Sequence, residues 1–178
     1  VFCYYINGVS YPALSRDDLI DQLPMLKNKF NDYSTYAKAT INEVFTADQL
    51  NNAGLLKATT LASVYLQNDG AAGFTVKQLP QEAQYSPIYA MGTMDINKDG
   101  KPDIVLAGNN EWTRIKFGRY RANHGVILIG DGKGNFEYVN QSKSGLNIRA
   151  DVRSLEVLNN AMLVIGANNK PVITYYLR

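Results

Sequence analysis

A chain of 178 residues with a net charge of only +2 is long enough for one sizeable domain with a buried core, and too nearly neutral for a general nucleic-acid binder. No apolar run approaches the length of a membrane span, no signal peptide is visible, and a lone cysteine, Cys3, excludes an internal disulfide. Twelve tyrosines and recurring Asn-Gly and Asp-Gly pairs describe strands joined by tight turns.

The chain opens on Val1-Phe-Cys-Tyr-Tyr-Ile6, without an initiator methionine and already inside an apolar strand pattern, so it reads as a piece of something longer. The apolar neighbours of Cys3 predict a buried thiol. From Ser15 to Ala53 the pattern is helical. Ser15 with Asp18 resembles a capping box, and Leu19, Ile20, Leu23, Leu26 and Phe30 fall on one face. Pro24 predicts a kink or a split, a second helix is expected over Tyr36–Phe45, and Thr46 with Gln49 caps a short third one. Residues 15–53 are therefore expected as a helical insertion within a first sheet. Strands over Thr59–Asn68 and Phe74–Leu79 would complete that sheet.

The next segment carries the most chemistry. Asp95-Ile-Asn97-Lys-Asp99-Gly100-Lys-Pro-Asp103 places three carboxylates and an amide oxygen at alternate positions. Such a sulfur-free, histidine-free set suits a hard cation, calcium first. Without one, two carboxylates a few Å apart cost about 3–4 kcal/mol at an effective dielectric near 20. An EF-hand needs a glutamate at loop position twelve and a helix beyond it, but that position is Leu106 and the run Asp103-Ile-Val-Leu-Ala-Gly108 reads as a buried strand. Tyr89–Asp95 also reads as a strand, so the loop joins two strands. The expected ligands are the side chains of Asp95, Asn97, Asp99 and Asp103 with the carbonyl of Lys101. The same residue types also build ordinary polar turns.

Asn109 to His124 is too long for a simple hairpin and holds Trp112, Arg114, Lys116, Phe117, Arg119, Tyr120 and Arg121. Aromatic and arginine side chains are typical of binding hot spots. Trp112, Arg114, Arg119, Tyr120 and Arg121 are candidate contacts for a glycan, a protein or an anionic group; equally, they would serve to tie down the loop or pack on further blades. His124, the only histidine, has no nucleophile motif beside it and reads as a structural residue. Asp131-Gly-Lys-Gly-Asn135 lacks the Lys-Ser/Thr ending of a phosphate loop and reads as a hairpin turn.

Two echoes organise the second half of the chain. Val64–Phe74 aligns without a gap with Val126–Phe136 at an offset of 62 residues, each a strand, an Asp-Gly turn and an aromatic. Ile104–Asn110 aligns with Leu163–Asn169, and Val1–Gly8 is a possible further copy. Repeats of a four-stranded unit predict propeller blades. The expectation is a mainly β, partial β-propeller fragment over residues 1–178. It has two to three blades of antiparallel four-stranded sheet, one over 85–140 around the calcium loop and a last one over 150–178 with strands at Val152–Leu158, Met162–Ala167 and Val172–Leu177. A closed propeller needs more blades, so its exposed edges await the rest of a parent protein or another chain.

The loop Asp95–Asp103 with its following strand resembles the FG-GAP or VCBS repeat of integrin-like propellers. Tyr11–Leu19, Leu79–Tyr89, Gly118–Gly125 and Gly130–Phe136, in that order, resemble the C-terminal part of large bacterial VCBS-repeat proteins related to the ASPIC/UnbV group. The resemblance implies a calcium-binding propeller on an exported or cell-surface protein, with a binding or scaffolding role and no catalytic residues. Asp95, Asn97, Asp99, Lys101 and Asp103 match its ligand positions. Arg121 departs from it, standing where an aspartate is expected after Gly-Arg-Tyr. Two other roles stay open: an accessory part of a glycan- or phosphoester-acting propeller enzyme, and a structural piece of a surface assembly.

Overall fold

Two compact units, Val1–Thr59 and Thr60–Arg178, divide the chain, and the computed structural model describes residues 1–176. The first unit opens on a hairpin of β1 (Cys3–Ile6) and β2 (Val9–Pro12), with Ile6 opposite Val9 and Asn7-Gly8 as the turn. Both turn residues have positive φ, 49° and 79°, the backbone of a type I′ turn. Among the described residues no third strand joins the pair, and every β1 residue is exposed. Cys3 is thus an exposed free thiol rather than a buried one, because β1 buries none of its residues on either face.

α1 (Arg16–Gln22) starts where the sequence predicts. The Ser15 hydroxyl accepts the Asp18 N–H at 3.3 Å and donates to the Asp18 carboxylate at 2.6 Å. Pro24 splits the apolar run and opens a 3-10 turn over Pro24–Lys27. The helix expected over Tyr36–Phe45 is instead two, α2 (Tyr33–Lys38) and α3 (Ile41–Val44). Local capping overrides the longer period. Asp32 accepts the Thr35 N–H at 2.7 Å, and Ala39 turns extended (ψ 127°) before a reciprocal Thr40–Glu43 box restarts the helix. α4 (Ala47–Asn51) carries the Thr46–Gln49 box. Leu19, Leu26, Phe30, Tyr36, Ala39 and Val44 form this unit's own core. The expected first four-stranded blade is not formed: the strands on either side of residues 15–53 lie in two separate two-stranded sheets, β1–β2 and β3–β4. The helical segment folds around its own apolar cluster rather than inside a sheet.

Every strand pairing of the second unit is antiparallel, and α5 (Gln141–Ser144) is the one α-helix among its described residues. β3 (Val64–Asn68) pairs with β4 (Phe74–Gln78). A four-stranded sheet runs β5 (Ile88–Met94), β6 (Asp103–Gly108), β7 (Val126–Gly130), β8 (Phe136–Val139) in that order. A three-stranded sheet has β10 (Met162–Ala167) between β9 (Val152–Leu158) and β11 (Ile173–Tyr176). The final strand lies within the expected Val172–Leu177, of which Leu177 is outside the described residues. The four-stranded antiparallel sheet falls within residues 85–140, where a four-stranded unit is expected. Among the described residues it is the one sheet of four strands, and no ring of blades closes.

Both sequence echoes are echoes of register. Tyr65 opposes Lys77, Leu66 Val76, Gln67 Thr75 and Asn68 Phe74; each number raised by 62 gives the pairs Ile127–Val139, Leu128–Tyr138, Ile129–Glu137 and Gly130–Phe136. The turns agree as well. Asp69 N–H donates to Gly73 O at 2.9 Å and Asp131 N–H to Asn135 O at 3.1 Å. The second echo shares a bulge: Ile88 and Ala90 face consecutive residues of β6, as Val152 and Ser154 face consecutive residues of β10. At its end Asn109 N–H donates to Pro87 O and Asn168 N–H to Asp151 O, both at 2.9 Å. β3–β4 therefore repeats the β7–β8 pair of the four-stranded sheet, and β9–β10 repeats its β5–β6 pair.

Alternation along β6 sorts its side chains to two faces, and all six residues are buried. Val105 and Ala107 join Ala90, Met94, Ile127, Leu155, Leu163 and Ile165 in a core between the four- and three-stranded sheets. Ile104 and Leu106 join Val126, Leu128, Leu79 and Ala83 on the other face, with Tyr65 of β3 packed against them. Each buried Val, Leu, Ile or Met among them contributes roughly 1.5–3 kcal/mol of burial. Gly92 sets the approach of the first pair of sheets: a Cβ there would strike Leu155 and lie 2.9 Å from Val157 Cγ2. Gly92→Val is expected to cost roughly 1–3 kcal/mol by overpacking. A urea midpoint equal to that of the parent chain would mean that these two sheets do not meet there.

Candidate functional site

The loop Asp95–Asp103 joins β5 to β6, strand to strand, as the sequence predicts. Gly100 (φ 82°) takes the left-handed turn with no side chain to strain, and Lys98 (φ 61°) adopts the same region. The side chains turn inward onto the loop's own backbone. Asp99 N–H donates to Asp95 Oδ1 at 3.0 Å and to Asn97 Oδ1 at 3.1 Å, so those two oxygens share one donor. Gly100 N–H donates to Asp95 Oδ2 at 2.8 Å. Asp99 accepts the Lys101 N–H at 2.9 Å, and its other oxygen lies 3.2 Å from the Lys101 ammonium. The Lys101 N–H, aided by that ammonium and by Asn97, holds the Asp99 carboxyl below its ordinary value.

Asp103 stands apart from the other four expected ligands. It is fully buried; Oδ2 accepts from Ile96 N–H at 2.8 Å and from Asn97 N–H at 3.4 Å, and Oδ1 from Gly130 N–H at 2.9 Å. Its carboxylate clamps the start of the loop to the end of β7. The three oxygen-bearing side chains Asp95, Asn97 and Asp99 have the hard-donor chemistry that calcium takes. Among the described residues, however, no three acidic, histidine or cysteine side chains gather as a metal cluster. In this geometry the loop satisfies its carboxylates with N–H groups and Lys101.

The other end of β6 is held by Asn109, buried at φ 85°. Its Nδ2 donates to Asn123 O at 2.7 Å and Ala150 O at 3.0 Å, and its Oδ1 accepts from Ser86 and from Asn123 N–H. Asn110 and Tyr120 then exchange two backbone hydrogen bonds, each 2.9 Å, closing residues 111–119 into a loop. All five candidate contacts are exposed, Trp112, Arg114 and Arg119 on this loop, Tyr120 in its closing bridge and Arg121 just beyond it, with Trp112 at 73% and Tyr120 at 44%. Arg121 pairs with Glu111 at 3.1 Å. Thr113 donates to Gly118 O across the loop.

Sequence reasoning passed over the polar cluster at the base. The Arg153 guanidinium lies over the Tyr89 ring at 4.0 Å, 2.6 Å from buried Asp151 and 3.1 Å from Asn109 O. Tyr89 and Arg153 are the unpaired residues of the two matching bulges, a relation carried by the Asn-Asn echo at 109–110 and 168–169. His124 lines a shallow depression with Glu82, Tyr85 and Gln141. Asp131 makes a hairpin turn, accepting Lys133 N–H at 2.7 Å and Asn135 N–H at 3.0 Å; bonds from Asn135, side chain first, push its carboxyl down to about 2.

Compared with protein-family models, with curated proteins and with solved structures, the chain matches none.

Two outcomes follow from the carboxylates. Asp103→Asn turns an NH₂ toward backbone donors and is expected to lower stability by about 1–3 kcal/mol in urea titration; an unchanged midpoint would remove the clamp. The Asp131 carboxyl is depressed on folding, so its stabilisation is complete above the ordinary value of 3.8 and disappears as pH falls toward about 2. Asp131→Asn should flatten the acid-unfolding curve in that window, and a curve of unaltered slope would count against these bonds.

Proposed function

We propose that this chain is a calcium-binding, propeller-type binding or scaffolding module of an exported or cell-surface bacterial protein. The observation that carries the metal is the inward aim of Asp95 and Asn97, whose oxygens meet at the single N–H of Asp99 within a loop framed by two strands. A hard cation has affinity for this donor set, and carboxylate oxygens that accept one N–H keep further lone pairs. The metal's role would be structural, with Asp95, Asn97 and Asp99 holding it and buried Asp103 fixing the loop from behind.

The propeller reading draws support from the stacking of three successive sheets with matching registers. β3–β4 matches β7 and β8, and among the described residues no counterpart of β6 pairs with it, which leaves the far edge of β3 open. On its outer face Leu66, Phe74 and Val76 are each more than half exposed. Further blades, from a parent protein or another chain, would cover that face.

A second reading has its own observation: the Lys101–Asp99 pair and the N–H bonds make the loop a self-satisfied turn, which a purely scaffolding piece would need. A calcium melting series separates the two. Extracellular modules bind with dissociation constants of roughly 10⁻⁴–10⁻³ M, and a tenfold excess should add about 1.4 kcal/mol. Asp99→Ala should abolish the gain. A melting temperature indifferent to calcium would leave the self-satisfied turn.

A further inference from the structure

The loop closed by Asn110 and Tyr120 has an unusual surface. Its tip is a 3-10 turn, Ile115–Phe117, in which Ile115 is 101% and Phe117 60% exposed, with Trp112 at 73% nearby in sequence. Arg114, Lys116 and Arg119 alternate with these apolar residues, Arg121 follows, and Glu111 is the segment's one carboxylate. The base is rigid, held by the backbone bridge and by buried Asn109. A soluble surface has no use for an isoleucine at full exposure on an anchored tip.

We propose that residues 111–119 dock the protein on an anionic lipid surface. Ile115 and Phe117 enter the boundary between headgroups and acyl chains, Trp112 lies at that interface, and Arg114 and Arg119 meet the headgroup phosphates. Charge complementarity argues for this occupant: residues 111–119 hold three cations and one carboxylate, Glu111, which Arg121 pairs at 3.1 Å, in a chain whose net charge is only +2. Shape argues against a sugar. Glycan and small-molecule sites are concave with fixed polar groups, whereas the loop tip projects its side chains outward, and the depressions around Tyr65 and around His124 are lined by other residues. No membrane-spanning helix is needed, and among the described residues none is long and apolar enough to cross one.

Trp112 is the only tryptophan among twelve tyrosines, so fluorescence excited at the red edge of the absorption band, where tyrosine does not absorb, reads this loop alone. The test titrates the whole chain with vesicles of phosphatidylcholine mixed with phosphatidylglycerol, and with phosphatidylcholine alone. The expected result is a shift of emission to shorter wavelength and co-sedimentation with the anionic vesicles only, weakened by salt. Ile115→Asp should abolish both without changing the far-ultraviolet circular dichroism. Arg114→Ala and Arg119→Ala should each weaken binding about fivefold, while Lys170→Ala, outside the loop, should not. The proposal fails if the emission is unmoved by anionic vesicles, or if Ile115→Asp binds them as the parent does. It fails also if soluble heparin produces the same shift and Ile115→Asp retains it, which would make the loop a glycan contact.

Discussion

A strand that is dry on both faces has to be covered twice, and β6 is such a strand. Every residue from Asp103 to Gly108 is buried. Its odd-numbered apolar side chains lie against the three-stranded sheet, and its even-numbered ones lie in the cluster that includes Tyr65 of β3. The second unit is therefore layered: the four-stranded sheet has one neighbour on each side, and its central strand is the most protected part. A buried apolar strand with ordinary pleat alternation makes any other arrangement pay in wetted Ile, Leu and Val.

That strand also sets the polar design of its two ends. Asp103 opens it and Asn109 follows it, and both are buried polar residues whose side chains accept or donate to backbone from distant segments. A buried carboxylate or amide without partners is costly, so each fixes whatever it bonds. Asp103 draws in Ile96 and Gly130, which frames the acidic loop. Asn109 draws in Asn123 and Ala150, which brings together the ends of the basic, aromatic excursion. The two candidate surfaces thus leave opposite ends of one rigid strand. Rigidity at the base is what allows each loop to present side chains at its tip without a core of its own.

Much of this was legible along the chain. The offset of 62 residues between Val64–Phe74 and Val126–Phe136 announced a common hairpin, because strand register and turn length are local properties of Asp-Gly chemistry and alternation. The same holds for Ser15, Thr46 and Pro24, whose effects reach only a turn or so. The long helix over Tyr36–Phe45 failed for an equally local reason: Asp32 and the Thr40–Glu43 box offered two better starts than one continuous period. Burial of Cys3 failed for a non-local one, since an apolar hairpin is covered only if some other element lies on it.

The sequence by itself determined the strands, their turns, the acidic loop between two of them and the aromatic, basic excursion. These depend on neighbours within a few residues: glycine and asparagine at positive φ, caps, and a two-residue period. The tertiary structure alone decided that Asp103 is a buried clamp, that Tyr89 meets Arg153, and that residues 15–53 keep a core of their own. Those outcomes rest on partners many residues away, whose distance no local pattern encodes, and on which faces happen to be covered when the sheets stack.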